Sequence, residues 1–309
     1  MPRVLKIVAH ILLVTFLPAS LLAAERAFSV ATYNVENYID TNDGDRPAKS
    51  AAAKARVRES IRALRADVIA LQEMGSTNAL LELRASLKSE GLDYPYWEHV
   101  QGWDTNIHVA VLSRLPIVGR RPHTKESFLL QGRRFHVSRG FAELELQAAP
   151  KYRFTFISAH LKSRRQSAVA DEGDLREQEA ILLRAIIDAR LKENPKINLV
   201  VLGDFNDVKD SRSTKRILGT RTQALIDTRP AERNGDNTPN AIPRFDPRNV
   251  TWTHHYGKED TYSRIDYILL SPGMAREWKT NETYVLTQPN WGVASDHRPI
   301  IAGFTAEDL

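Results

Sequence analysis

"VVLGDFNDV", residues 200–208, sets Val200, Val201 and Leu202 directly against Asp204, Asn206 and Asp207. The surrounding run "INLVVLGDF" (197–205) does not alternate between apolar and polar residues. It therefore reads as a central strand, buried on both faces. Closing such a strand with carboxylates is costly, because a buried charge is unfavourable unless a partner meets it. The acids either cap a loop or face something positive.

Similar β-type runs recur along the chain: "FSVATYNV" (28–35), "DVIALQE" (67–73), "HVAVLSR" (108–114), "GFAELELQ" (140–147), "RFTFISAHL" (153–161), "RIDYILL" (264–270) and "PIIAGF" (299–304). The 140s alternate strictly, which predicts a half-exposed strand. Helical patterns fall between the runs. "SAAAKARVRESIRALRA" (50–66) puts Val57, Ile61 and Leu64 on one face. "STNALLELRASLKSEG" (76–91) starts at a Ser/Thr cap and stops at Gly91, and a third helix is expected over 174–195. Thr228 to Asn249 is rich in Pro, Asn, Asp and Arg and reads as a long surface loop. The irregular alternation, with hairpin-like pairs such as 140–147 with 153–161, predicts mixed sheets covered by helices in one domain.

Composition fits that reading. Of 309 residues, 42% are apolar and 26% charged, as in a globular protein with a sizeable core. Cysteine is absent, which excludes disulfides, thiolate metal sites and a cysteine nucleophile. Met1–Ala24 has a basic head at Arg3 and Lys6, an apolar run over Ile7–Leu17 and small residues ending at Ala23-Ala24. This is the layout of a secretory signal peptide, so the expected division is a leader at 1–24 and one domain over 25–309, periplasmic or secreted. Once the leader is removed, no stable membrane insertion is expected. The net charge of +5 becomes +3 when Arg3 and Lys6 leave with the leader. Basic residues crowd between Arg114 and Arg165, which reads as a solvated face or as a surface for a polyanion.

Polar residues gather at strand ends. Asn34 and Glu36 close the first run, Glu73 the second, His160 the one before Leu161, and Asp204 with Asn206 the central one; Asp266 lies in "SRIDYILLS" and Asp296-His297 in "ASDHRPI". A single acid after a strand is more often a cap. Several such ends converging on one rim would make an oxygen-rich site for a hard cation. Imidazole would add acid–base capacity near neutral pH. Cation, imidazole and nearby arginine together suit hydrolysis of a phosphate ester. No G-x-S-x-G, P-loop, G-x-G-x-x-G or H-E-x-x-H motif is present.

"TYNVEN", "LQE", "SRLPI", "SAHLKS", "GDFND", "SRIDYIL" and "SDHRPI", in this order, resemble the endonuclease/exonuclease/phosphatase (deoxyribonuclease I-like) superfamily. The resemblance spans about Ser29 to Phe304. It implies a four-layer α/β sandwich, two mixed sheets face to face with helices outside. It also implies roles. Glu73 is similar to the principal Mg²⁺ ligand, with Asn34, Glu36 and Asp296 near the same metal; Mn²⁺ or Ca²⁺ are the alternative ions. Asp204 and Asn206 match the pair that orients the attacking water. Asp266 and His297 match a carboxylate–imidazole dyad, and either Asp204 or His297 takes the proton from water. His160 matches a second histidine that serves a phosphate oxygen or the leaving group, and Arg139 a basic residue facing the phosphate.

Within the family, Asp207 after Asn206 departs from the inositol-phosphatase pattern, and a leader sits badly with intracellular repair. No exposed aromatic hairpin for a membrane is legible in the sequence. Arg114 reads as a strand-end ion pair and Trp252 as packing, while His254 and His255 stay unassigned. The expectation is a metal-dependent phosphodiesterase, most simply a nuclease of low sequence specificity acting on nucleic acid or another phosphodiester. A phosphomonoesterase or sphingomyelinase-like lipid phosphodiesterase is the alternative, and a non-catalytic binding subunit a distant one. No protein partner is evident.

Overall fold

All eight expected strand runs and all three expected helices form, and they stack into four layers. The structure is a computed structural model that describes residues 26–44, 46–233 and 249–307. The expected leader and most of the loop expected at Thr228–Asn249 lie outside these residues.

β1 (Arg26–Tyr38), α1 (Ala51–Leu64), β2 (Val68–Met74), α2 (Thr77–Ser89), β3 (Tyr96–Val100), β4 (His108–Ser113) and β5 (Ile117–Arg120) come first. A small hairpin, β6 (Ser127–Leu130) with β7 (Arg133–His136), precedes the long pair β8 (Phe141–Ala149) and β9 (Tyr152–His160). Next are α3 (Glu172–Glu193), β10 (Leu199–Asp204), α4 (Arg212–Leu218), β11 (Ile226–Asp227) and β12 (Ala231–Glu232). The last elements are the hairpin β13 (His254–Tyr256) with β14 (Thr261–Ser263), β15 (Asp266–Leu270), β16 (Trp278–Val285), the short α5 (Trp291–Ala294) and β17 (Ile300–Ala306). β12 shows that the expected loop starts with two residues of strand, paired in parallel with β16.

One sheet runs β12–β16–β17–β1–β2–β4–β3 and the other β11–β15–β10–β9–β8–β5. Both are mixed: β1–β2 and β9–β10 are parallel, and each pair has antiparallel neighbours. Three apolar clusters mark the three contacts between layers. Phe28, Val30, Val111, Phe156, Leu202 and Ile268 belong to the cluster shared by the two sheets. Tyr33, Val57, Ile61, Ile69 and Leu83 join the first sheet to α1 and α2. Ile157, Val201 and Tyr267 join the second sheet to Leu183 and Ile187 of α3 and Ile217 of α4. The alternation of side chains along each strand feeds both faces, so Val200 and Leu202 point to one cluster while Leu199 and Val201 point to another.

The helices begin where short polar side chains accept the first free amides. Ser50, Ser76 and Ser211 accept from Ala53, Ala79 and Thr214. Asp171 accepts from Asp174, which starts α3 slightly ahead of the expected position. β10 is central and wholly buried, as its unbroken apolar run predicts. The half exposure expected of β8 holds only in part, because Glu143 on its outer face is 1% exposed. Arg190 of α3 lies over that carboxylate at 2.7 Å, and His123 Nε2 meets its other oxygen at 2.7 Å. Alternation reports polarity, not exposure, and an acid with enough cationic partners can be buried.

Candidate active site

Strand register assembles the site at one end of the sheets. Asp204, the last residue of β10, stands beside His160, the last of β9, and Asp266, the first of β15. Gly203 allows that approach. Its φ is +138°, and a Cβ there would lie 1.9 Å from the Ala159 carbonyl oxygen. Three residues singled out in the sequence hold left-handed backbone: Glu36 (φ 43°), Glu73 (φ 60°) and Asn206 (φ 55°). Non-glycine residues adopt this region rarely, and they do so preferentially at functional sites.

The acid–imidazole half of the site is buried. His297 Nδ1 lies 2.8 Å from Asp266 Oδ2, and its Nε2 is 3.8 Å from Asp204 Oδ2. His160 Nε2 approaches the same Asp204 oxygen at 3.6 Å. The other oxygen, Oδ1, accepts from the Asn206 amide at 2.8 Å, while Asn206 Nδ2 donates to Leu161 O at 3.0 Å. Burial works against charge on His297, but Asp266 and Asp204 outweigh it and hold the imidazole protonated well above its usual range. Burial, with Arg139 and His297 adding repulsion, pushes His160 well below that range and keeps it neutral. Burial also lifts the Asp204 carboxyl to about 6, against the pull of His297.

The carboxylate half adjoins it through Asn34, whose Nδ2 donates to Asp204 Oδ2 at 3.0 Å and to Glu73 Oε1 at 3.3 Å. Glu73 Oε2 accepts from the Asn37 amide at 2.9 Å. Glu36 faces Lys49 at 3.8 Å. Asp296 meets His254 at 3.6 Å and His297 at 3.9 Å. Among the described residues, two groups bring three ligand atoms within 4.8 Å of one another: His254–Asp296–His297 and Asp204–Asp266–His297. Glu73 and Glu36 stand apart from both groups, and Asp296 and Glu73 both act on Glu36 through space. Although its side chain is 42% exposed, Glu36 is lifted to about 7, first by the surrounding protein and then by Asp296. Crowded oxygens that repel one another fit a hard divalent cation. Buried atoms without a hydrogen bond among the described residues include His160 Nδ1, Asp266 Oδ1 and Arg139 Nε. All three belong to this site, where an external oxygen or cation can satisfy them.

Arg139 is 5% exposed, donates to Leu161 O at 3.3 Å and faces Asp104 at 3.7 Å. Asp104 also holds Arg46 at 3.6 Å. The basic stretch between Arg114 and Arg165 does not make one bare face. Arg114, Arg120, Arg121, Arg139, Arg153 and Arg164 each face a carboxylate, those of Asp67, Glu98, Glu143, Asp104, Glu145 and Asp207. Arg114 is thereby the strand-end ion pair expected of it. Asp207 is a clamp, accepting from Arg176 at 3.0 Å and Ser213 at 2.9 Å.

Several site residues were not legible in the sequence. Ser295 Oγ donates to Asn34 O at 2.7 Å and accepts from the His297 amide at 3.0 Å, tying the two halves together. Thr253 Oγ1 accepts from the Asp266 amide, and His254 bridges to His297. Lys49 gives no local signal, because its acidic neighbours come from other elements. The structure also packs Trp291 against aromatics carried on and beside the β13–β14 hairpin. Trp252 meets Tyr262 and Trp291 edge-on at 4.9 and 5.1 Å, His255 stacks on Tyr262, and Tyr262 is 54% exposed. Trp252, His255 and Trp291 are half-buried in this cluster, and His255 and Tyr262 face each other across the β13–β14 hairpin.

The model of the Endonuclease/Exonuclease/phosphatase family matches residues 31–297. No curated protein matches the chain. Among solved structures, truncated TDP2 from Caenorhabditis elegans aligns with a TM-score of 0.60 at 15% identity, over 91% of this chain and 98% of that one. The human Nocturnin catalytic domain with bound sulfate gives 0.61 at 16%, over 91% and 94%. Sphingomyelinase C from Streptomyces griseocarneus gives 0.57 at 22%, over 90% and 99%.

Proposed function

Because the chain belongs to the endonuclease/exonuclease/phosphatase family, we propose that it hydrolyses a phosphodiester with a divalent cation and an activated water. The observation that carries this reading is the approach to Asp204 of His160 from β9, Asn34 from β1 and His297 from the loop before β17. Glu73, Asn34, Glu36 and Asp296 would hold the cation, and an all-oxygen set fits Mg²⁺, with Mn²⁺ or Ca²⁺ as alternatives. When bound, that ion supplies positive charge for the phosphoryl oxygens.

The chain's own residues do the rest. Asp204 accepts the proton of the attacking water, which Asn206 helps to orient. His297, held protonated between Asp266 and Asp204, opposes the charge that develops on phosphate. Neutral His160 and Arg139 serve phosphate oxygens through His160 Nδ1 and the Arg139 guanidinium, whose Nε faces Asp104 at 3.7 Å without a hydrogen bond among the described residues.

Nucleic acid is the substrate class proposed. Arg139, Arg46 and Lys162 act on His160 through space, and that positive charge suits a backbone phosphate. A lipid phosphodiester is the second reading, favoured by the aromatic cluster at Trp252, Tyr262 and Trp291. The nearby hairpin tip, Gly257–Asp260, reads GKED and is charged, which disfavours insertion into a bilayer. Among the described residues no helix is long and apolar enough to cross a membrane. Export to the periplasm or medium is proposed from Met1–Ala24.

A substrate panel tests the assignment: plasmid DNA, RNA, a phosphomonoester, an inositol phosphate and sphingomyelin, each with Mg²⁺, Mn²⁺ or chelator. Cleavage of DNA or RNA that chelator abolishes is the expected result. Cleavage of sphingomyelin with DNA and RNA intact would transfer the assignment to the second reading.

A further inference from the structure

Lys49 is the residue that the proposed chemistry does not use and that the fold nevertheless places inside the site. It precedes the Ser50 cap of α1, and its amide donates to Ile39 O at 3.1 Å, so the backbone there is anchored. The side chain is 5% exposed, and its ammonium lies 3.8 Å from Glu36 Oε2. Asp296 and Glu73 act on the same ammonium through space. These are three of the four residues proposed to hold the cation. Burying an ammonium is costly; burial holds Lys49 below its ordinary range, and the carboxylates that work against burial, Glu36, Asp296 and Glu73, are the cation's own.

We propose that Lys49 is a built-in counter-charge of the cation pocket, which weakens divalent-ion binding and thereby sets the ion concentration at which the enzyme loads. Glu36, Glu73 and Asp296 gather negative charge at one place, and the Lys49 ammonium offsets part of it. A divalent ion entering beside Lys49 meets a like charge inside low-dielectric walls, where repulsion over a few ångströms is substantial. Neutralising position 49 removes that repulsion and leaves the ligands in place.

The proposal rests on the cation site proposed above, and calorimetric titration with Mn²⁺ and with Mg²⁺ tests both separately. Wild type, Lys49→Met, Lys49→Gln, Lys49→Arg and Glu73→Gln are compared, each with its melting temperature in chelator. Lys49→Met and Lys49→Gln should bind Mn²⁺ about tenfold more tightly than wild type. Lys49→Arg should stay within about twofold of it, because the charge is kept. Both neutral variants should also melt lower in chelator and gain more from added Mn²⁺ than wild type does. Unchanged or weaker binding in both neutral variants would overturn the role of Lys49 alone. A wild type whose Mn²⁺ binding survives Glu73→Gln would remove the site reading and the proposal together.

Discussion

At the scale of residues, the site is governed by which buried groups can afford charge. Asp204 and His160 are each 1% exposed and His297 is 4% exposed; burial sets the protonation of the first two, and Asp266 with Asp204 overrides burial at His297. Asp266 determines which nitrogen of His297 faces Asp204, since Nδ1 is engaged at 2.8 Å. Asp204→Ala and His297→Ala should each lower the rate by roughly 10³-fold with the circular-dichroism spectrum unchanged. Asp266→Asn should lower it by roughly 10²-fold, because orientation is lost while the imidazole stays. Single-turnover rates on the substrate found by the panel would check all three, and near-wild-type activity in Asp204→Ala would remove it as the base. The residues missed in the sequence, Ser295, Thr253 and Lys49, are ordinary polar types whose importance depends on partners elsewhere in the chain.

At the scale of elements, the strand end at 200–208 works because a glycine precedes the acid. β9 and β10 are parallel neighbours, and the Gly203 backbone lies so close to Ala159 that no side chain fits. Gly203→Ala should therefore destabilise the fold by roughly 3 kcal/mol or more, through both the clash and the positive φ. A melting temperature within a degree or two of wild type would show that the strands can part at little cost. Helix positions were legible because Val57, Ile61 and Leu64 make one apolar face and Ser76 is a local cap, and β10 was legible because its apolar run is unbroken. β12 was not, since two residues of edge strand leave no periodicity to read.

At the scale of the whole molecule, the outer layers are held by charge as well as by apolar contact. Glu143 of β8 meets Arg190 of α3, His123 and Arg121 at distances of 2.7 to 3.1 Å. Burial alone would raise its carboxyl, but hydrogen bonds from His123, Arg190 and Arg121 outweigh burial and hold it at about 2. A carboxyl depressed in the folded state stabilises it above the ordinary value near 4.5, and that stability is lost as pH falls toward 2. Glu143→Gln should thus cost roughly 2–3 kcal/mol at neutral pH. The gap between variant and wild type should close as pH falls from 4.5 to 2. Denaturant melts at several pH values would check this, and a gap that does not change with pH would assign the loss to packing.

The sequence by itself determined the layered α/β sandwich, the family and the cluster of strand-end acids, amides and histidines. Those features are local: apolar runs, caps and short motifs act within a few residues of one another. Tertiary structure alone decided which of those groups touch. It put Asp204 against His160, His297 and Asn34, buried Lys49 among the carboxylates, and paired six of the basic residues that the sequence left open to a polyanion. The physical reason is that charge acts through space, over a few ångströms, between groups far apart in the chain, as Lys49 and Asp296 are. In the proposed reaction "GDFND" brings Asp204 and Asn206 to the attacking water, and burial with the neighbours in the fold sets the protonation of Asp204.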